Sequence, residues 1–141
     1  MVSASTTEAA SIFIDDLLPF LREQFGFRDF ISQAQRTFIS QIVVEFERPL
    51  SGLLPIYEKI AALIAEQTSA NFGIKARMDF TRLDFEFDKT STHLRYIIPR
   101  FIIERRPGIP YSQERYFCSA PMQTRAHLAL LEQIEGTLPV S

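Results

Sequence analysis

Four arginines, Arg100, Arg105, Arg106 and Arg115, fall between residues 100 and 115, interleaved with Tyr111, Tyr116 and Phe117. A guanidinium plane offers paired donors to a carboxylate or phosphate and stacks on aromatic rings. Arginine beside exposed aromatics is the composition of protein-interaction hot spots. It also suits single-stranded nucleic acid, where bases stack on rings and phosphates meet cations. Arg100, Arg105, Arg106, Tyr111, Arg115 and Tyr116 are therefore the candidate partner-binding residues. The competing expectation is that these cations neutralise carboxylates of the same fold.

The remaining chemistry is sparse. Cys118, His93 and His127 are the soft ligands, and their irregular spacing matches no metal or Cys-His nucleophile pattern. They read as a buried strand thiol, a turn residue and a helix-surface residue. Asp15 and Asp16 are neighbours, and adjacent side chains on a helix diverge by about 100°, so they read as a solvated face or a cap. Asp84, Glu86 and Asp88 share one strand face, where Arg95 is expected to neutralise Glu86 across the sheet. The phosphate-loop, dinucleotide, nucleophile-elbow, zinc-protease and C-x-x-C spacings do not occur. The sequence accordingly nominates no catalytic residue, no metal site and no cofactor.

The whole-chain numbers set the scale for these residues. A chain of 141 residues, 46% hydrophobic and 23% charged, has the composition of one ordinary globular domain. One cysteine forbids an internal disulfide and points to a reducing, cytoplasmic compartment. The first residues lack a basic n-region and an apolar h-region, so no signal peptide is expected. Asp15-Asp16, Glu45 and Glu58-Lys59 interrupt the longest apolar runs, so no membrane span is expected. The net charge of −2 conceals a split: residues 1–88 carry 8 basic and 13 acidic groups, and residues 89–127 carry 7 basic and 2 acidic.

The elements that must position these residues follow from periodicity. Ser5 to Glu8 fits a capping box, and Ile12, Phe13, Leu17, Leu18, Leu21 and Phe25 form a helical stripe ending at Gly26. Pro19 is expected to kink or split this helix near Asp16. A second helix is predicted over about Asp29–Glu47, on the stripe Phe30, Ile31, Ala34, Phe38, Ile42 and Phe46. A third runs from near Ser51 to Asn71, on Leu53, Ile56, Tyr57, Ile60, Leu63 and Ile64. Three helices in succession invite a helix-turn-helix interpretation. The third carries Lys59 as its one cation beside Glu58 and Glu66, which opposes a DNA-recognition role.

After Gly73 the period becomes two, predicting a long antiparallel hairpin over 74–88 and 93–106 with a turn at Lys89–Thr92. Closing it at Asp88 and His93 sets Phe87 opposite Leu94, Phe85 opposite Tyr96 and Leu83 opposite Ile98. The same register sets Phe80 opposite Phe101, Met78 opposite Ile103, Glu86 opposite Arg95 and Arg77 opposite Glu104. It also makes apolar residues change parity where Arg82 meets Pro99. Either paired bulges preserve one apolar face, or the face changes sides. In the second case Leu83, Phe85, Phe87, Leu94, Tyr96 and Ile98 form an apolar interface covered by the last helix, a second copy or a partner. Pro107-Gly108 predicts a type II turn, Glu114–Ser119 a short third strand, and residues 119–136 a last helix with Met122, Ala126, Ala129, Leu130 and Ile134 inward.

The fold class is thus α+β in one domain over 1–141: three N-terminal helices (1–73), a hairpin sheet (74–118) and a C-terminal helix on that sheet. The functional expectation is a small cytoplasmic, non-enzymatic interaction or regulatory protein. It would bind a protein partner or itself as a homodimer, through the hairpin and the Arg/Tyr-rich loop 105–117. The alternatives are single-stranded nucleic-acid or anionic-ligand binding through the same surface, and a small enzyme or ligand binder with an apolar pocket between helices and sheet.

Overall fold

The computed structural model describes residues 6–26, 36–53, 55–75, 77–88, 90 and 97–139. Among these, the chain orders as helix α1 (Thr7–Phe25), strand β1 (Ser40–Glu45), a 3-10 turn (Leu50–Leu53), helix α2 (Pro55–Phe72), strands β2 (Arg82–Phe85), β3 (Phe101–Arg105) and β4 (Arg115–Ala120), and helix α3 (Thr124–Gly136). The class is α+β, with helices and a four-stranded antiparallel sheet in the order β1-β4-β3-β2. No helix among the described residues is long and apolar enough to cross a membrane.

The first helix forms where its caps place it. Thr6 Oγ1 accepts from the Ala9 amide at 3.1 Å, and Gly26 at φ 65° closes the end by donating to the Arg22 carbonyl. The left-handed backbone there favours glycine because it lacks a Cβ. The cap is one residue beyond the expected Ser5, which lies outside the described residues. Pro19 does not split α1, which continues to Phe25. The predicted second helix is corrected: residues 27–35 lie outside the described residues, and 40–45 form strand β1. Ile42 and Phe46 fit a helical stripe, but Ile42, Val44 and Phe46 also alternate. The β-branched run Ile42-Val43-Val44 favours extended backbone.

The sheet also corrects the hairpin register. Leu83 pairs with Ile103 and Phe85 with Phe101, so Leu83 does not face Ile98 and Phe80 does not face Phe101. This slip of an odd number of positions removes the parity conflict. Odd-numbered apolar residues of β2 now face odd-numbered ones of β3, and Leu83, Phe85, Phe101 and Ile103 share one face. Pairing is also shorter than expected on both strands. Lys89, Ser91, Thr92, His93, Leu94, Arg95 and Tyr96, including the predicted Glu86–Arg95 pair, lie outside the described residues. Arg82, rather than Arg77, approaches Glu104, at 3.9 Å. The third strand appears as β4, one residue along from its predicted bounds. The Pro107-Gly108 turn forms with Gly108 at φ 75° and the Ile109 amide donating to the Arg106 carbonyl.

One sheet face holds the core. Ile103, Tyr116 and Cys118 are buried there with Phe46, Leu50, Leu131 and Leu138, flanked by Ile42, Val44, Leu83 and Phe101. Helix α3 covers this face with His127 and Leu131 fully inward and Ile134 partly so, a stripe rotated from the predicted one. It begins at Thr124, later than expected, because Ser119 and Ala120 complete β4. Its N-terminus meets that of α1. The Thr124 amide donates to Thr7 Oγ1 at 2.6 Å, the Thr7 amide to Thr124 Oγ1 at 3.1 Å, and the Arg125 amide to Glu8 Oε1 at 2.9 Å. Each helix thus satisfies amides the other leaves unpaired, and Glu8 sits where two helix dipoles favour an anion. These amides hold the Glu8 carboxyl below its ordinary pKa.

Candidate functional site

Arg105 is the centre of the most connected polar cluster. β3 places it on the core face beside Tyr116 of β4, its direct register partner. The side chain is buried. Its Nη1 donates to the Tyr111 carbonyl at 3.1 Å, and its Nη2 to Tyr116 Oη at 2.8 Å and Glu114 Oε2 at 3.1 Å. Asp79 Oδ2 stands 3.7 Å away. The Tyr111 and Tyr116 rings lie 4.4 and 4.9 Å from its guanidinium carbon, close enough for cation–π attraction. Tyr116 Oη in turn donates to Glu114 at 2.5 Å. Burial, with that bonded carboxylate, raises the Tyr116 pKa far above its ordinary value. Glu114 adopts the left-handed region at φ 43°, strained for a residue with a Cβ. Its carbonyl accepts the Phe46 amide and its own amide donates to the Tyr111 carbonyl, so the strained turn is held at both sides.

The predicted site residues therefore divide. Arg105 and Tyr116 face inward and are closed to a partner. Tyr111 is half-buried over Arg105. Arg100 is exposed on the hairpin with Asp84 and Glu86 each at 3.3 Å. Arg115 lies on the opposite sheet face, 2.8 Å from Glu45. Arg106 is exposed and forms no ion pair among the described residues. Among the predicted apolar interface residues, Leu83 packs on the core, Phe85 is 59% exposed against the Phe101 ring, Phe87 is at the margin of exposure and Ile98 is half-buried. Leu94 and Tyr96 of that set lie outside the described residues.

Cys118 is a buried strand thiol as expected, its pKa pushed up to about 12 by burial. His127 is corrected from a helix-surface residue to a fully buried one. Its Nδ1 lies 3.0 Å from Ser40 Oγ, and Ser40 Oγ donates on to Thr124 Oγ1 at 3.4 Å. Nε2 is buried without a hydrogen-bond partner among the described residues, and burial lowers the His127 pKa. Asp15 is ion-paired with Arg36. No group of three or more metal-ligating side chains occurs among the described residues.

The apolar stripe of α2 is open to solvent, and so is part of that of α1. Helices α1 and α2 contain no buried residue. On α2, Ala61, Ala65, Thr68 and Ser69 are half-buried toward the body, and Tyr57 meets the Phe80 ring at 6.0 Å. The stripe Ile56, Ile60, Leu63 and Ile64 faces solvent, with Ile56 61% and Leu63 64% exposed. On α1, Ala10, Ile14, Leu17, Leu18 and Leu21 are half-buried, while Phe13 and Phe20, two turns apart, stand exposed on another line. Periodicity marks an apolar stripe but is silent about what covers it, so sequence reasoning did not single these residues out as a site. No family model, curated protein or solved structure matches the chain.

Proposed function

We infer that the chain is a protein-interaction module whose docking surface is the apolar face of α2. The observation that carries this is the solvent exposure of Ile56, Ile60, Leu63 and Ile64 in one continuous stripe. A contiguous apolar stripe on a protein surface marks an interaction site far more often than scattered single residues do, and helix-in-groove recognition reads such i, i+4, i+7 anchors. The arginine accounting supports a protein partner over a phosphate backbone. Arg100, Arg105 and Arg115 each have a carboxylate within 4.0 Å, and a cation so engaged releases little counterion energy on meeting nucleic acid.

Replacing Leu63 and Ile64 together by Glu tests this. At a chain concentration too low for self-association, the double variant is expected to unfold within about 0.5 kcal/mol of the parent, as surface substitutions do. At low chain concentration it is expected to bind less of an apolar reporter dye than the parent. A loss above about 2 kcal/mol would show that the stripe packs within its own chain, and unchanged dye binding would show that it is not the open apolar surface; either overturns the proposal.

A further inference from the structure

We propose that the occupant of the α2 stripe is a second copy of this chain, docked through the same stripe in an antiparallel pair about a two-fold axis. The inference rests on the interaction reading above and adds the partner and its orientation.

The charges that flank the stripe select that partner. Lys59 and Glu66 are seven residues apart, just under two helical turns, so they lie on nearly one line along α2. That line borders Ile56 and Leu63, on the side away from the half-buried Ala61, Ala65 and Thr68. Both side chains are exposed, and neither forms an ion pair among the described residues. When two identical helices pack antiparallel, each flank runs beside the same flank of its neighbour, and charges there set orientation and partner choice. An axis passing between Ala62 and Leu63 then sets each Lys59 opposite the partner's Glu66, giving two equivalent pairs. A parallel two-fold pair would set this flank beside the other one, which carries Tyr57, Ala61 and Thr68, and would leave both charges without a partner. The stripe itself carries no charge to bury: between Ile56 and Ile64 the charged residues, Glu58 and Lys59, both lie off it. An isologous contact of this kind closes at two copies and leaves no open end for further growth.

The test is a charge-reversal cycle on the full chain, read by sedimentation equilibrium, with circular dichroism confirming that each variant folds. The parent is expected to be a dimer. Lys59→Glu and Glu66→Lys are each expected to raise the dissociation constant about three- to thirty-fold, since each replaces two exposed attractions by two repulsions. The double variant, Lys59→Glu with Glu66→Lys, is expected to return within about threefold of the parent, as coupled pairs do. A monomeric parent, or a dimer indifferent to both single reversals, overturns the two-fold pairing. A double variant as weak as the singles overturns the antiparallel register. In each of those outcomes the Leu63/Ile64 double variant separately tests the interaction reading. If it still folds and loses dye binding, the stripe remains a docking surface for a different protein; if it loses stability, the interaction reading fails as well.

Discussion

A buried guanidinium between two carboxylates and two tyrosine rings holds one end of the sheet, and this decides what Arg105 can do. Its charge is matched by Glu114 and Asp79 at 3.1 and 3.7 Å, so removing it leaves carboxylates with little access to water. Arg105→Met is expected to cost about 3–5 kcal/mol in urea denaturation, the range for breaking one half of a buried pair. Tyr116→Phe, which removes the hydroxyl bridging Arg105 and Glu114, is expected to cost about 1–3 kcal/mol. His127 gives a prediction of another kind. Burial lowers its pKa below the ordinary 6.5, so the unfolded chain takes up a proton that the folded chain refuses. The sign follows from linkage: the stability is complete above pH 6.5 and falls as pH drops below it toward the folded-state pKa. Melting temperature is expected to decline through that window, before the carboxylates titrate, and His127→Gln is expected to flatten the decline. A parent melting profile level between pH 7 and 5 would refute it.

At the scale of elements, the contact between α1 and α3 is a pair of helix starts that cap each other. Thr7 and Thr124 each donate an amide and accept with a hydroxyl, and this reciprocity predicts non-additive losses. Thr7→Ala and Thr124→Ala are each expected to cost about 1 kcal/mol. Their double variant is expected to lose less than the sum, with a coupling of at least about 0.5 kcal/mol in a denaturation cycle. Additive losses would show that the two hydroxyls act separately. None of this was visible in the sequence, because residues 117 positions apart carry no periodic signal. What was visible was local: helix α1 with its stop at Gly26, the Pro107-Gly108 turn, the short strand that became β4, and the helix ending at Gly136. The failures have physical causes as well. Ile42 and Phe46 fit a helical stripe, and with Val44 they also alternate. The hairpin register was anchored on an assumed four-residue turn at residues that lie outside the described ones, and the observed β2–β3 pairs are offset from it by an odd number of positions. The observed pairing of Leu83 with Ile103 was available as the register that keeps all odd-numbered apolar residues on one face.

The whole molecule resolves much of the charge asymmetry inside the fold, the competing expectation that the sequence offered for its arginines. Basic residues of the 89–127 stretch meet acidic residues of the first half: Arg100 with Asp84 and Glu86, Arg105 with Asp79, Arg115 with Glu45. The arginine cluster is thereby drawn into the fold, while an apolar face is left out of it. A chain with that surface should have a stability that depends on its own concentration. If native chains pair and unfolded chains do not, mass action favours the folded state more as chain is added. The melting temperature is therefore expected to rise with chain concentration, and Leu63→Glu is expected to melt at one temperature throughout that range. Salt separates the two contributions to the pairing. Sodium chloride screens the exposed Lys59–Glu66 flanks, whereas sulfate strengthens apolar burial by its exclusion from protein surface. Modest chloride is expected to lower the concentration dependence, and sulfate at equal ionic strength to restore or exceed it. Equal effects of the two salts would leave no role for the aliphatic stripe, and a concentration-independent melt of the parent would leave none for pairing.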